Sequence, residues 1–143
     1  MKNNKGFTLI EILAAVTILG IISTIAVVAV SKYIDKSRNE AYDTMEKTLC
    51  DAAKNYVMNE GLDSSVENGG ATIDVSTLAE YKYVGALLDP ADKSKSCDGQ
   101  IVVKLLNKAA SADSLNDYTY DVTINCTRRN ETVKFNSSCQ VRP

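Results

Sequence analysis

Between Ile12 and Ser31 the chain runs for 20 residues without a charge, apolar on every side of any helix it forms. At 1.5 Å per residue such a helix is about 30 Å long, the thickness of a bilayer hydrocarbon core. Beyond Ser31 the apolar positions thin to a stripe. Ile34, Ala41, Tyr42, Met45, Leu49, Ala52, Ala53, Tyr56 and Val57 recur at spacings of three and four, while Lys36, Arg38, Glu40, Asp43, Lys47 and Lys54 take the other faces. The spacing predicts an amphipathic continuation of the same helix, and the stripe is not the sustained heptad of a soluble coiled coil. Gly61 suits a left-handed cap, so one helix is expected from about Phe7 to about Asn59, roughly 80 Å at the standard rise.

The pattern then breaks. Leu62 to Asp74 is rich in Ser, Asn, Gly and acid and reads as an exposed loop. A short helix is expected next, capped by Asp74 or Ser76, with Leu78 and Tyr81 on its apolar face and Gly85 at its end. Asp89-Pro90 and the polar run Asp92 to Ser96 mark a second loop, which makes 62–96 a connecting region.

The last third alternates with the period of a strand. Ile101 to Leu106 is a short β-branched run, Tyr118 to Cys126 alternates apolar and polar throughout, and Thr132 to Asn136 alternates again with Val133 and Phe135 inward. Lys108 to Asn116 reads as a longer loop. Thr127 to Glu131 is short enough for a hairpin, with Asn130 tolerant of a left-handed conformation. Three antiparallel strands with one apolar face need a cover, and the striped half of the helix is the large one at hand. The fold class is thus α+β, a long N-terminal helix, membrane-spanning then amphipathic, packed on a small antiparallel sheet within 100–139.

Composition narrows the chemistry. The 143 residues have room for one membrane helix and one modest domain. A net charge of −2 argues against a general nucleic-acid binder. There is no histidine, no S-x-x-K, no G-x-S-x-G and no glycine loop shaped for phosphate, so no hydrolytic machinery is visible and no enzyme activity or cofactor is expected. Asp113, Asp117 and Asp121 do not match a calcium loop and read as solvated carboxylates. Arg128, Arg129, Lys134 and Arg142 read as solvated charges in a polar turn, and the Asn-x-Ser/Thr triplets at Asn125, Asn130 and Asn136 as polar composition.

Four cysteines, Cys50, Cys97, Cys126 and Cys139, all follow the apolar run. No C-x-x-C pair exists, so a zinc site would need four scattered thiolates, and two disulfides are the better reading. If the strands that begin near Ile101 and end at Cys126 are antiparallel neighbours, Cys97 lies beside Cys126. Cys139 is then left for Cys50 on the helix, although sequence alone allows three connectivities.

The beginning of the chain carries the most specific signal. Lys2 and Lys5 give a positive flank that holds the amino end in the cytoplasm. Six residues before Phe7 leave no room for the apolar segment of an ordinary secretory signal. Glu11 stands at the mouth of the uncharged run, where a carboxylate is costly unless paired and by default marks function. If Phe7 becomes the new amino terminus, the nearest partner for Glu11 is the α-amine of a neighbouring subunit.

Lys5-Gly6-Phe7-Thr8-Leu9-Ile10-Glu11 and the run behind it resemble the prepilin leader and membrane helix of the type IV pilin family, which includes pilins and pseudopilins. The resemblance covers Met1 to Ser31, under a quarter of the chain. It implies cleavage between Gly6 and Phe7 by a prepilin peptidase, methylation of Phe7, and alignment of an incoming subunit by Glu11. The implied organisation is a leader at 1–6, a membrane and filament-core half at 7–31, and a head at 32–143. The processed chain would carry 14 basic against 18 acidic residues, a net charge of −4. The implied partners are the peptidase, identical or related pilin subunits, an inner-membrane assembly platform and the membrane itself. The expected function is a structural filament subunit, first single-pass in the cytoplasmic membrane and then in a surface or envelope-spanning filament. A pseudopilin or minor pilin of a secretion or DNA-uptake machine is the alternative within the family, and a non-polymerising anchored extracellular domain the alternative outside it. Cys126 paired with Cys139 would match the C-terminal disulfide loop of many family members. One departure stands out: many members carry a helix-breaking proline where this chain has Val28, and its first proline is Pro90. Gly20 is the remaining weak point, where any loosening of the helix in a filament is expected to begin.

Overall fold

The computed structural model describes residues 6–61, 70–107 and 117–142. Lys2 and Lys5, most of the loop expected after Gly61, and the loop expected from Lys108 to Asn116 lie outside the described residues. The chain divides into two compact units, Met1–Asn39 and Glu40–Pro143.

Helix α1, Leu9–Glu60, is the regular structure described in the first unit, and its part from Glu40 onward belongs to the second. Its apolar half is rich in Ile and Val, which in water favour strands. In lipid the helix wins because it pairs every backbone group within its own segment. It passes through Gly20 and Val28 without interruption, and the space around Gly20 is open. Gly61, with φ +76, follows the last turn in the left-handed conformation that a helix-ending glycine adopts without Cβ strain.

The second unit contains β1 (Ala71–Asp74), α2 (Val75–Glu80), β2 (Asp98–Asn107), β3 (Asp117–Asn125) and β4 (Asn130–Phe135). The four strands form one antiparallel sheet in the order β1-β2-β3-β4. Its register lines up Ile73, Ile101, Val122 and Val133 in one row and Val103, Tyr120 and Phe135 in the next. Tyr42, Leu49, Cys50, Ala53 and Val57 of α1 share one buried core with them. The striped part of the helix thus covers the sheet.

Several expectations are corrected. The sheet has a fourth strand, β1, which lies outside 100–139 and inside the stretch read as loop; it pairs Ile73 with Ile101 at the edge. α2 ends at Glu80, well short of Gly85. The left-handed residue there is Lys82, φ 62, and the Tyr83 N–H closes the turn onto the Leu78 carbonyl at 2.8 Å. Asp74 is its N-cap residue without a side-chain hydrogen bond, and Val75 joins Leu78 on the buried face while Tyr81 is exposed. Asn130 does not take a left-handed conformation; among described non-glycine residues only Lys82 and Cys139 have positive φ. The β3–β4 turn is instead closed by the Cys126 N–H donating to the Arg129 carbonyl at 2.8 Å.

Two charge assignments also change. Asp121 is buried, with Lys104 Nζ at 2.8 Å and Arg142 Nη2 at 3.4 Å. The last residues fold back beside β4, where the Arg142 N–H donates to the Lys134 carbonyl, and this return brings Arg142 to Asp121. Arg129 likewise turns inward. Neither arginine is a loosely solvated charge, because each lies against a carboxylate that folding has withdrawn from water.

Candidate functional site

Gly6, Phe7 and Thr8 precede the helix in non-helical conformation, and Glu11 is the one acidic residue of its first turn. Thr8 and Glu11 form a reciprocal cap. The Thr8 N–H and the Thr8 hydroxyl both donate to Glu11 Oε2 at 2.8 Å, and the Glu11 N–H approaches Thr8 Oγ1 at 3.4 Å. A Thr-x-x-Glu cap satisfies donors that the first helical turn leaves orphaned and sets the carboxylate at the positive end of the helix dipole. Thr8 was overlooked as a functional residue, although the Thr-x-x-Glu spacing carries the signal. Both cap bonds end on Oε2; among the described residues nothing bonds Oε1.

Behind this cap the helix presents hydrocarbon outward. Leu9, Ile10, Ile12, Leu13, Val16, Ile18, Leu19, Ile21, Ile22, Val27 and Val30 are all exposed, as is Phe7 ahead of the helix. The hydroxyls of Thr17, Ser23, Thr24 and Ser31 donate to carbonyls three or four residues back at 2.7–3.0 Å. These polar groups are therefore satisfied inside the helix and ask nothing of their surroundings. By length and composition the helix is able to cross a membrane.

In the second unit the four cysteines form two disulfides, Cys50–Cys139 and Cys97–Cys126. The first ties α1 to the C-terminal segment across 89 residues. The second flanks the Asp98↔Asn125 pair that opens the β2–β3 ladder, so register brings its two ends together. Asp89, read from the sequence as a turn residue, is buried with three donors. Tyr42 Oη reaches Oδ1 at 2.6 Å, the Ala91 N–H reaches Oδ1 at 2.8 Å and the Thr127 N–H reaches Oδ2 at 2.8 Å. The Tyr42 bond leads in holding this carboxyl well below the usual range, against the cost of its burial. Burial first, and then the Asp89 bond, raise the Tyr42 phenol.

Arg129 occupies the neighbouring position. Its guanidinium contacts Asp43 at 2.7 Å, Glu46 at 3.3 Å and Glu131, and lies 5.7 Å from the centre of the Tyr42 ring. Glu46 is buried on α1, and its Oε1 has no hydrogen-bond partner. Desolvation pushes it up to about 7, with Arg129 pulling the other way. The stripe reading passed over Glu46, because one acid inside a helical repeat looks like a face residue until the hairpin closes over it. Among the described residues no group of three or more potential ligands is placed to hold a metal ion.

Residues 1–27 match the family described as the prokaryotic N-terminal methylation motif. The type IV major alpha-pilin of Moraxella bovis is 33% identical over 116 residues, covering 76% of this chain and 73% of that protein. No solved structure matches the chain.

Proposed function

The chain belongs to the type IV pilin family, structural subunits and not enzymes, and from that premise we propose that it is cut between Gly6 and Phe7 by a prepilin peptidase, methylated on Phe7 and polymerised through α1. The observation that carries this reading is the exposed, uncharged helix surface closed by a single carboxylate with one oxygen capped and one open. Thr8 orients Glu11 at the end of the helix, and Oε1 is left to accept the α-amine of Phe7 on a neighbouring subunit. Cap and intersubunit pair are compatible, since they use different oxygens. The apolar half exchanges lipid contacts for helix contacts on assembly; with no hydrophobic gain in leaving lipid, packing and the Glu11 pair supply the specificity. Before assembly the chain sits once in the cytoplasmic membrane, N-terminus inside, and an inner-membrane platform draws it into a surface filament. Loosening of the helix in that filament begins at Gly20 and is small.

Mass spectrometry of sheared surface filaments tests the reading: this chain is expected as the bulk component, starting at methylated Phe7. If it is a trace component of short envelope-spanning fibres, the pseudopilin or minor-pilin role replaces the major one. An intact chain that never leaves the membrane fraction marks a non-polymerising anchor. Glu11→Val is expected to be processed normally yet to enter filaments at least about tenfold less. Normal incorporation removes Glu11 from its role.

A further inference from the structure

Successive residues of a strand face opposite sides of the sheet, so the rows flanking buried Ile101 and Val122 turn away from the core that α1 covers. One outward row is Asp74, Gln100 and Thr123, and the next is Asp98, Asn125 and Asn130. Elsewhere on this face polar side chains are engaged with one another. Lys104 and Arg142 hold Asp121, and the Thr123 and Thr132 hydroxyls lie 2.8 Å apart. The corner where β1 passes into α2 is different. Asp74, Ser76, Asp98, Gln100, Asn125 and Asn130, all exposed, line an open recess of about 490 Å³ there. Among the described residues no side-chain hydrogen bond holds Asp74, Ser76, Gln100, Asn125 or Asn130, and Asp98 accepts one, from the Gly99 N–H at 2.8 Å. Gly99 leaves backbone between the two rows, since a Cβ would run into the Thr123 carbonyl. The lining contains no basic, aliphatic or aromatic residue.

We propose that this recess binds an amino sugar, a hydroxylated ring that carries an ammonium group. The inference is independent of the filament reading above. Three features select that ligand. Gln100, Asn125 and Asn130 each offer donors and an acceptor on one side chain, the complement of ring hydroxyls, which also donate and accept. Asp74 and Asp98, with no cation in the lining to offset them, attract the ammonium and repel phosphate, sulfate and uronate groups. The volume falls in the range of roughly 300–1,000 Å³ typical of small-ligand sites, so one or two rings fit. The frame is fixed before binding: the rows are set by the β1–β2–β3–β4 ladder, and Cys97–Cys126 closes its end beside Asp98 and Asn125. An apolar ligand would leave these polar groups unpaired.

Titration of the isotope-labelled, disulfide-intact full chain in detergent, followed by nuclear magnetic resonance, tests the site with four probes: a β-1,4-linked glucosamine trimer, its N-acetylated form, trigalacturonate and spermidine. The glucosamine trimer is expected to shift the side-chain amide signals of Gln100, Asn125 and Asn130 saturably. Its affinity should exceed that of the N-acetylated form and of spermidine by at least about fivefold, with no binding of trigalacturonate. Equal affinity for spermidine marks a surface that merely attracts cations and overturns the inference. Preference for the N-acetylated form, binding of trigalacturonate, or no saturable shift of those amides overturns it too. Asp74→Asn with Asp98→Asn, at exposed positions, is expected to weaken the glucosamine trimer at least about tenfold at unchanged disulfide content. Glu80→Gln, exposed and outside the recess, is expected to stay within about twofold of the parent. Equal losses from the two substitutions, or none from the first, overturn the inference.

Discussion

The two units meet the same physical demand, satisfaction of polar groups away from water, in opposite ways. In Met1–Asn39 the side-chain hydroxyls of Thr8, Thr17, Ser23, Thr24 and Ser31 are satisfied within about one turn, the first by Glu11 and the others by their own helix carbonyls. Its hydrocarbon is left outside for lipid or another helix to cover. In Glu40–Pro143 the hydrocarbon core is inside, and buried Asp89 is satisfied by partners far along the chain, Tyr42 and Thr127. A segment whose internal needs are local can move between lipid and a protein core without refolding. A segment whose needs are long-range cannot.

The largest expected effect probes that independence. Replacing Cys50 and Cys139 with Ala opens a loop of 89 residues and should cost the head about 4–5 kcal/mol by the chain-entropy estimate. Urea titration of the detergent-solubilised chain is expected to show tyrosine fluorescence failing early while the helical signal of the apolar half persists. Loss of both signals together would break the comparison. A matched pair of truncations follows. Leu49→Ala, in the core, should cost about 3–4 kcal/mol. Ile18→Ala, at an exposed position, should change monomer stability by less than about 0.5 kcal/mol and lower filament yield instead. Equal losses in the monomer would show that the apolar half is already packed.

The smallest effect concerns pH. Glu46 ordinarily titrates near 4.5 and is pushed up to about 7 in the fold. Between those values the folded chain holds a proton that the unfolded chain has released, so stability falls as pH rises through the window and is level above it. Asp89 works in the other direction. Its folded carboxyl lies below its ordinary 3.8, so its contribution is present above that pH and is lost as pH falls below it. Melting temperature is therefore expected to peak near pH 4–5. Glu46→Gln should flatten the fall between pH 4.5 and 7, a change of at most about 3 kcal/mol. A wild-type profile flat across that window would show that Glu46 is not held against its burial.

Much of this was legible in the residues. The long helix, its cap at Gly61, the strands β2 to β4 and the composition of the N-terminal segment follow from repeat period and residue type. β1 was not legible because Ala71 to Asp74 is four residues long, follows Gly69-Gly70, and becomes a strand only when β2 offers an edge. Asp89, Glu46, Asp121 and Arg129 were misjudged or passed over for one reason: each looks like surface charge in its own neighbourhood. Burial came from elements 17 or more residues away, Lys104 lying 17 from Asp121 and Thr127 lying 38 from Asp89.

The sequence by itself determined what depends on neighbours within one turn: helix where the period is 3.6, strand where it is 2, a span as thick as a bilayer, and one carboxylate at its mouth. Tertiary structure decided which cysteines pair, which charges lie inside, and which flank of the helix stays bare. Those outcomes depend on strand register and on contacts such as Cys50–Cys139, set by chain segments whose separation no local repeat encodes.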